Sequence, residues 1–89
     1  MNKTTYTTTR FDIDKGFYVE VSPNINFDGE NMYDFVLCLE GYGIKEFMFG
    51  LLAEDCIEES WEEIIKNNID AYIEIFISNM KYWDNQPIN

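Results

Sequence analysis

The chain has 89 residues and a formal net charge of -11 at pH 7, with 17 Asp and Glu against 6 Lys and Arg and no histidine. This charge exceeds the roughly 2 to 8 net charges that keep a small domain soluble, and the missing imidazole excludes Ser-His-Asp and Cys-His catalytic arrangements within one chain. A hydrophobic fraction of 46% with 17% aromatic residues excludes disorder and predicts a single domain over residues 1–89.

The first part of the chain, within about residues 4–53, has the period-two pattern of strands with one buried face. Five residues share one face of the first strand, namely Thr5, Thr7, Thr9, Phe11 and Ile13. Turn chemistry at Asp14-Lys15-Gly16 then precedes a second alternation that starts at Phe17, which predicts a hairpin. Because proline cannot donate to a ladder, we expect Pro23 to end the second strand or to place it at an edge.

A third strand and a fourth apolar segment follow the polar loop 24–31. In the third strand every second residue lies on one apolar face, namely Tyr33, Phe35, Leu37 and Leu39. Gly41-Tyr42-Gly43 marks the next reversal. Segment 44–52 is almost continuously apolar, which fits a central strand buried on both faces or the first turns of a helix. Gly50 weakens a helix, so a strand is the favoured prediction.

The helical period takes over near the C-terminus and predicts a helix over about residues 56–83. One stripe of this helix contains Trp61, Ile65, Ile69, Tyr72, Phe76, Met80 and Trp83. Two start signals compete, Asp55 with Glu58 and Ser60 with Glu63. The order of elements predicts an α+β fold, a four-stranded antiparallel sheet of two hairpins with one long C-terminal helix packed on one face.

Catalytic and metal chemistry have little support in the sequence. Two cysteines without a Cys-x-x-Cys pair, Cys38 and Cys56, indicate buried reduced thiols and no zinc site. Loop 24–31 alternates oxygen side chains before a glycine, as calcium loops do, but Phe35 occupies the position of the bidentate glutamate. We therefore expect a turn-stabilised polar loop, no metal, no cofactor and no enzymatic activity.

An acidic stripe on the outer face of the predicted helix is the candidate partner-binding site. Its members are Glu59, Glu63, Asp70 and Glu74, with Glu62 at the border. Their spacing of four, seven and four residues places them opposite the apolar stripe, and carboxylates one turn apart imitate successive phosphates of a nucleic-acid strand. The alternative is an ordinary solvated face, since Lys66 lies four residues from both Glu62 and Asp70.

The favoured function is a non-enzymatic binding protein that docks on a basic nuclease or nucleic-acid-binding protein by nucleic-acid mimicry. In composition and size, without a shared motif, the chain resembles the small acidic inhibitors of phages and mobile elements, among them anti-CRISPR and DNA-mimic proteins. The alternative is an interaction or assembly module, such as an immunity protein or homodimer, that uses an open sheet face containing Tyr6, Tyr18 or Val36. Repulsion argues against direct binding to nucleic acid or anionic membrane.

The expected location is the cytoplasm, or the host cytoplasm if the chain is phage-encoded. The first residues, Met1 to Tyr6, lack the apolar core of a signal peptide, and no stretch approaches the 18 or so apolar residues of a membrane span.

Overall fold

The structure, a computed structural model, describes the backbone of residues 8–84 and the side chains of residues 8–80. Its strands and helix are β1 (Thr9–Asp12), β2 (Phe17–Ile25), β3 (Asn31–Leu39), β4 (Glu46–Leu52) and α1 (Trp61–Asp84), with two 3-10 turns, Ala53–Asp55 and Glu58–Ser60, before α1. The sheet is antiparallel in the order β1-β2-β3-β4. The predicted α+β fold is confirmed, and Thr5 and Thr7 lie outside the described residues.

The sheet has one face covered by α1 and one open face. On β3, Phe35 and Leu37 are fully buried beneath the helix, and the alternating residues point the other way because side chains reverse direction at each position of a strand. One row across the open face consists of Arg10, Glu20, Val36 and Phe47. Tyr18 and Val36 therefore lie on the open face as predicted, whereas Tyr6 is not described.

Trp61, the first residue of α1, is 4% exposed and pins the start of the helix to the sheet. Its ring meets Tyr33 edge-on at a centroid distance of 4.7 Å and meets both Phe35 and Phe11 at 6.4 Å. Edge-to-face aromatic pairs contribute about 0.5–1.5 kcal/mol beyond area burial. This cluster fixes α1 over β1 and β3.

Phe76 anchors the other half of α1. It is fully buried and meets Phe17 at 5.5 Å and Tyr42 at 6.0 Å, both edge-on. Between the two anchors, Tyr72 contacts Phe49 of β4 at 5.8 Å. The helix thus contacts all four strands of the sheet, and its predicted apolar stripe is its buried face as far as the side chains are described.

A β-bulge explains the continuous apolar run that made segment 44–52 hard to assign. Val36 pairs with Phe47 but Phe35 pairs with Phe49, so Met48 is an extra residue in β4. Phe47 lies on the open face, Met48 is buried and Phe49 packs on the helix side. The favoured prediction of a strand is correct, but β4 is an edge strand and not a central one.

Pro23 does not end the second strand. β2 continues to Ile25, with Pro23 opposite Tyr33 and Ile25 opposite Asn31. In the described residues the pairing of β1 with β2 stops at Thr9 and Val21. β2 lies between β1 and β3 in the sheet, and Pro23 lies beyond the pairs that the structure describes between β1 and β2.

The helix begins at Trp61, about one turn later than the predicted position 56. Cys56 and Ile57 are extended, and a 3-10 turn over Glu58–Ser60 leads into α1. Of the two start signals, the one at Ser60 has the right position, although the Ser60 hydroxyl donates to the Ile57 carbonyl oxygen at 2.8 Å. Residues 56–60 therefore form the approach to the helix.

Two isoleucines of α1 provide a matched test of this packing. Ile65 is 1% exposed in the core and Ile75 is 46% exposed. We expect Ile65→Ala to lower the free energy of unfolding by about 2–5 kcal/mol and Ile75→Ala by less than about 1 kcal/mol. Urea unfolding of both variants measures this difference, and equal losses would contradict the helix orientation.

Candidate protein-binding surface

The five predicted partner-binding residues are all exposed but do not share one helix. Glu62, Glu63, Asp70 and Glu74 belong to α1, whereas Glu59 lies in the preceding 3-10 turn. At about 100° per residue, Glu63, Asp70 and Glu74 fall within roughly 40° of one another on the side away from the sheet. The predicted stripe exists along α1, but its first member is presented by a different element.

The structure groups three of the five predicted residues more closely. Glu59, Glu62 and Glu63 line one surface depression together with Lys66 and Asn67, while Asp70 and Glu74 follow further along α1.

Lys66 neutralises little of this charge. Its Nζ lies 4.0 Å from Glu62 Oε1, and the two side chains are 75% and 71% exposed. Exposed i,i+4 ion pairs of this kind contribute only about 0.3–0.5 kcal/mol. The predicted pairing of Lys66 with Glu62 is therefore present but weak, and the carboxylates around it keep their outward field.

Six carboxylates belong to two segments that adjoin at one end of the sheet, the β2–β3 loop and the approach to the helix. We call this group the acidic end, and its members are Asp28, Glu30, Glu54, Asp55, Glu58 and Glu59. Leu52, the last residue of β4, pairs with Met32 beside the β2–β3 loop. Glu30 and Glu54 line the same depression. From Leu52 the chain crosses this end of the sheet to Trp61, which packs on Tyr33.

The acidic end has no countercharge of its own in the described part of the chain. All six side chains belong to exposed residues. The salt bridges that the structure describes involve other carboxylates, namely Asp12, Glu20, Glu40 and Glu62. Of its six members, only Glu59 belongs to the predicted partner-binding site. The signal for the others was present, since six of the ten residues 54–63 are acidic.

On the open face, by contrast, Arg10 forms ion pairs with carboxylates. Its guanidinium donates to Asp12 Oδ1 and to Glu40 Oε2, both at 2.8 Å, and its Cζ lies 3.8 Å from the ring centroid of Tyr18. The hydrogen bonds to Glu40 and Asp12 raise the pKa of Arg10 above its usual value. Two acids of the open face, Asp12 and Glu40, therefore pair with a cation.

Lys45 also pairs with an acid of the open face, close to the buried Cys38 in the sheet. Its Nζ donates to Glu20 Oε1 at 2.8 Å, which raises the pKa of Lys45. Cys38 lies opposite Tyr18 and is only 1% exposed although it belongs to the open face. Burial, followed by the negative charge of Glu20, raises the pKa of the Cys38 thiol to about 11. Cys38 and Cys56 are both buried and free, as expected.

The β2–β3 loop uses its oxygen atoms to fix its own backbone. Asn26 Oδ1 accepts hydrogen bonds from the N–H groups of Asp28 and Glu30, each at 2.9 Å. This is the turn-stabilising use of asparagine. Among the described residues, no group of three or more Cys, Asp or Glu side chains is arranged to hold a metal ion.

No protein-family model matches this chain, and neither the curated proteins nor the solved structures include a detectable relative. Within residues 8–84, no helix has both the length and the apolar character needed to cross a bilayer.

The raised pKa of Cys38 on the open face predicts a loss of stability at alkaline pH. An unfolded thiol ionises near pH 8.5, whereas folded Cys38 holds its proton to about pH 11. The folded chain binds more protons in this window, so the free energy of unfolding falls as pH rises through it. Urea titrations across the window should give a shallower fall for Cys38→Ser than for the natural chain. If the free energy of unfolding fell equally steeply with pH in both chains, the raised pKa of Cys38 would be contradicted.

Because the acidic end has no cation partner among the described residues, we predict a salt-dependent gain in stability when it is neutralised. We expect Glu54→Gln with Glu58→Gln to raise the free energy of unfolding by a few tenths of a kcal/mol at low salt, because like-charge repulsion is relieved. The gain should vanish near 1 M salt, where the screening length is about 3 Å. Thermal unfolding at both salt concentrations measures it.

The matched control neutralises two paired carboxylates, Asp12→Asn with Glu20→Gln. This variant loses partners of Arg10 and Lys45 and should be less stable than the natural chain. Stabilisation of both variants would show that the two surfaces do not differ in pairing.

Proposed function

We propose that this chain is a small, non-enzymatic acidic binding protein that docks on a basic nuclease or DNA- or RNA-binding protein and blocks its nucleic-acid site. One observation carries the proposal: the acidic end continues into Glu62 and Glu63 of α1 as one exposed run of carboxylates. Lys66 is the cation that lines the depression within this run.

The helix extends this surface in a row. At about 1.5 Å per residue, Glu63, Asp70 and Glu74 span roughly 16 Å along α1. A row of fixed negative charge on that scale is complementary to a basic groove that binds a phosphate backbone. It also accelerates encounter with such a groove through long-range attraction.

Rigidity favours binding by this surface. Trp61 and Phe76 anchor α1 at two places along its length, so the carboxylates on its outer face need no large rearrangement to meet a partner. Binding by a preorganised surface loses less conformational entropy than binding by a flexible one.

The use of cations also supports the proposal. Arg10 and Lys45 pair with acids of the open face, while the acidic end keeps its repulsion. Repulsion of this kind destabilises the compact state, and function is a common reason for a protein to retain a destabilising feature. A target of this type places the protein in the cytoplasm, or in the host cytoplasm if the chain is phage-encoded.

A second candidate is an interaction or assembly module that uses the open face, including a homodimer. Phe47 favours it, because this side chain is 59% exposed beside Val36 on that face. Against it, Arg10 and Lys45 already cover part of the face with ion pairs. A dimer that persists at high salt in light scattering would favour this candidate over the acidic surface.

Affinity capture tests the leading proposal. The immobilised chain should retain nucleic-acid-binding proteins at low salt and release them between about 50 and 200 mM salt, as contacts that mimic phosphate require. The identified protein, once purified, should lose a fluorescent DNA or RNA ligand when the chain is added. Reversal of Glu59, Glu63, Asp70 and Glu74 to Lys should abolish the competition.

A matched pair of single reversals separates surface charge from net charge. Glu63→Lys and Asp14→Lys change the net charge equally, but Asp14 lies in the β1–β2 turn. We expect Glu63→Lys to weaken competition by about tenfold and Asp14→Lys to have little effect. Intact binding by the fourfold reversal would show that the mimic hypothesis is wrong.

A further inference from the structure

Phe27 is a fully exposed aromatic side chain at the tip of the β2–β3 loop. Its relative exposure is 110%, so nothing in the described chain covers the ring, while the other exposed large hydrophobic side chains lie between 39% and 64%. Nearby Ile25 is 52% exposed, and both residues line a surface depression with Met32. A large aromatic side chain this exposed contributes little to the core.

The loop holds Phe27 in a fixed place. The Asn26 N–H donates to the Glu30 carbonyl oxygen at 3.0 Å, and the Gly29 N–H donates to the Asn26 carbonyl oxygen at 3.0 Å. The Asn26 side chain adds bonds to the backbone N–H groups of Asp28 and Glu30 and to the Glu30 carboxylate. Gly29 has a φ of 80°, which glycine adopts without a steric cost. The ring is therefore displayed on a preorganised support.

Charge decides which partner fits this tip. Asp28 and Glu30 follow Phe27 in the same loop and belong to the acidic end, and no described Lys or Arg pairs with them. A second copy of the chain would bring the same carboxylates into contact, and nucleic acid or anionic lipid would add more negative charge. A cationic protein surface is attracted to the same place.

We propose that Phe27 is the hydrophobic anchor of the binding surface and inserts into an apolar pocket bordered by Lys or Arg on a protein partner. This inference rests on the proposed function and deepens it, because it adds the apolar contact that charge alone does not specify. Interface energy concentrates in a few buried side chains, commonly aromatic, surrounded by polar contacts. Phe27 supplies the anchor, with Asp28 and Glu30 as its charged border.

Two synthetic helical peptides of equal length and charge provide a defined probe. One carries Leu on the face opposite its lysines, and the other carries Ser in place of each Leu. Fluorescence anisotropy at fixed salt should show tighter binding of the Leu peptide to the natural chain. Phe27→Ala should weaken the Leu peptide by about tenfold, as expected for an aromatic side chain that loses its burial, and leave the Ser peptide unchanged.

Phe47→Ala is the matched control. It removes the same side chain from an exposed position of the open face and should leave both peptides unchanged. Since the Phe27 side chain is fully exposed, Phe27→Ala should retain the thermal unfolding midpoint of the natural chain.

The outcomes separate this inference from the proposed function. If both peptides bind, and lose affinity on Glu59→Lys with Glu63→Lys, but Phe27→Ala has no effect, the anchor is wrong and the acidic surface stands. If neither peptide binds, both fail. Phe27-dependent self-association, or Phe27-dependent binding to phosphatidylcholine vesicles, would overturn the inference in favour of a second copy or a lipid surface.

Discussion

The packing of α1 on one face of the sheet is the interaction on which the rest of the structure depends. Trp61 joins the start of the helix to β1 and β3, and Phe76 joins its second half to Phe17 and Tyr42. Burial of each such side chain is worth about 1.5–3 kcal/mol. Because these contacts fix the rotation of α1 about its axis, they also fix the direction in which its acidic residues point.

The same packing assembles the acidic end. Trp61 contacts Tyr33, so the chain between β4 and α1 must cross the end of the sheet beside the β2–β3 loop. Carboxylates that are far apart in the sequence, such as Glu30 and Glu54, then share one surface depression. On the open face, Arg10 and Lys45 bind acids directly. Within the described residues, ion pairs thus lie on the open face, whereas the acidic end has carboxylates without a cation partner.

Much of the fold could be predicted because local pattern and tertiary contact agree in β2, β3 and α1. Phe35 and Leu37 alternate with Val36 and Cys38 as a strand with one covered face requires. The pattern was ambiguous in β4, where the extra residue Met48 shifts the alternation by one position. The start of α1 at Trp61 could not be predicted, because the acidic residues before it suit a first α-helical turn and a 3-10 turn equally well.

Only part of the candidate site could be predicted from the sequence. Helical spacing identified Glu63, Asp70 and Glu74 as a row, since three-dimensional proximity on a helix follows from the period of 3.6 residues. No sequence period relates Glu30 to Glu54, so their proximity could not be predicted. Hydropathy identifies Phe27 only as an apolar residue in a polar loop and does not indicate how exposed its side chain is. Its full exposure is a property of the folded loop, whose backbone the Asn26 side chain holds.

The sequence by itself determined the α+β architecture, the apolar stripe of α1, the large net negative charge and the absence of imidazole chemistry, because composition and periodicity are local properties. Only the tertiary structure decided where the charge is paired and where it is not. Pairing depends on contacts between distant segments, such as Arg10 with Glu40 and Lys45 with Glu20. Those contacts exist because hydrogen-bonded register and helix packing bring the segments together.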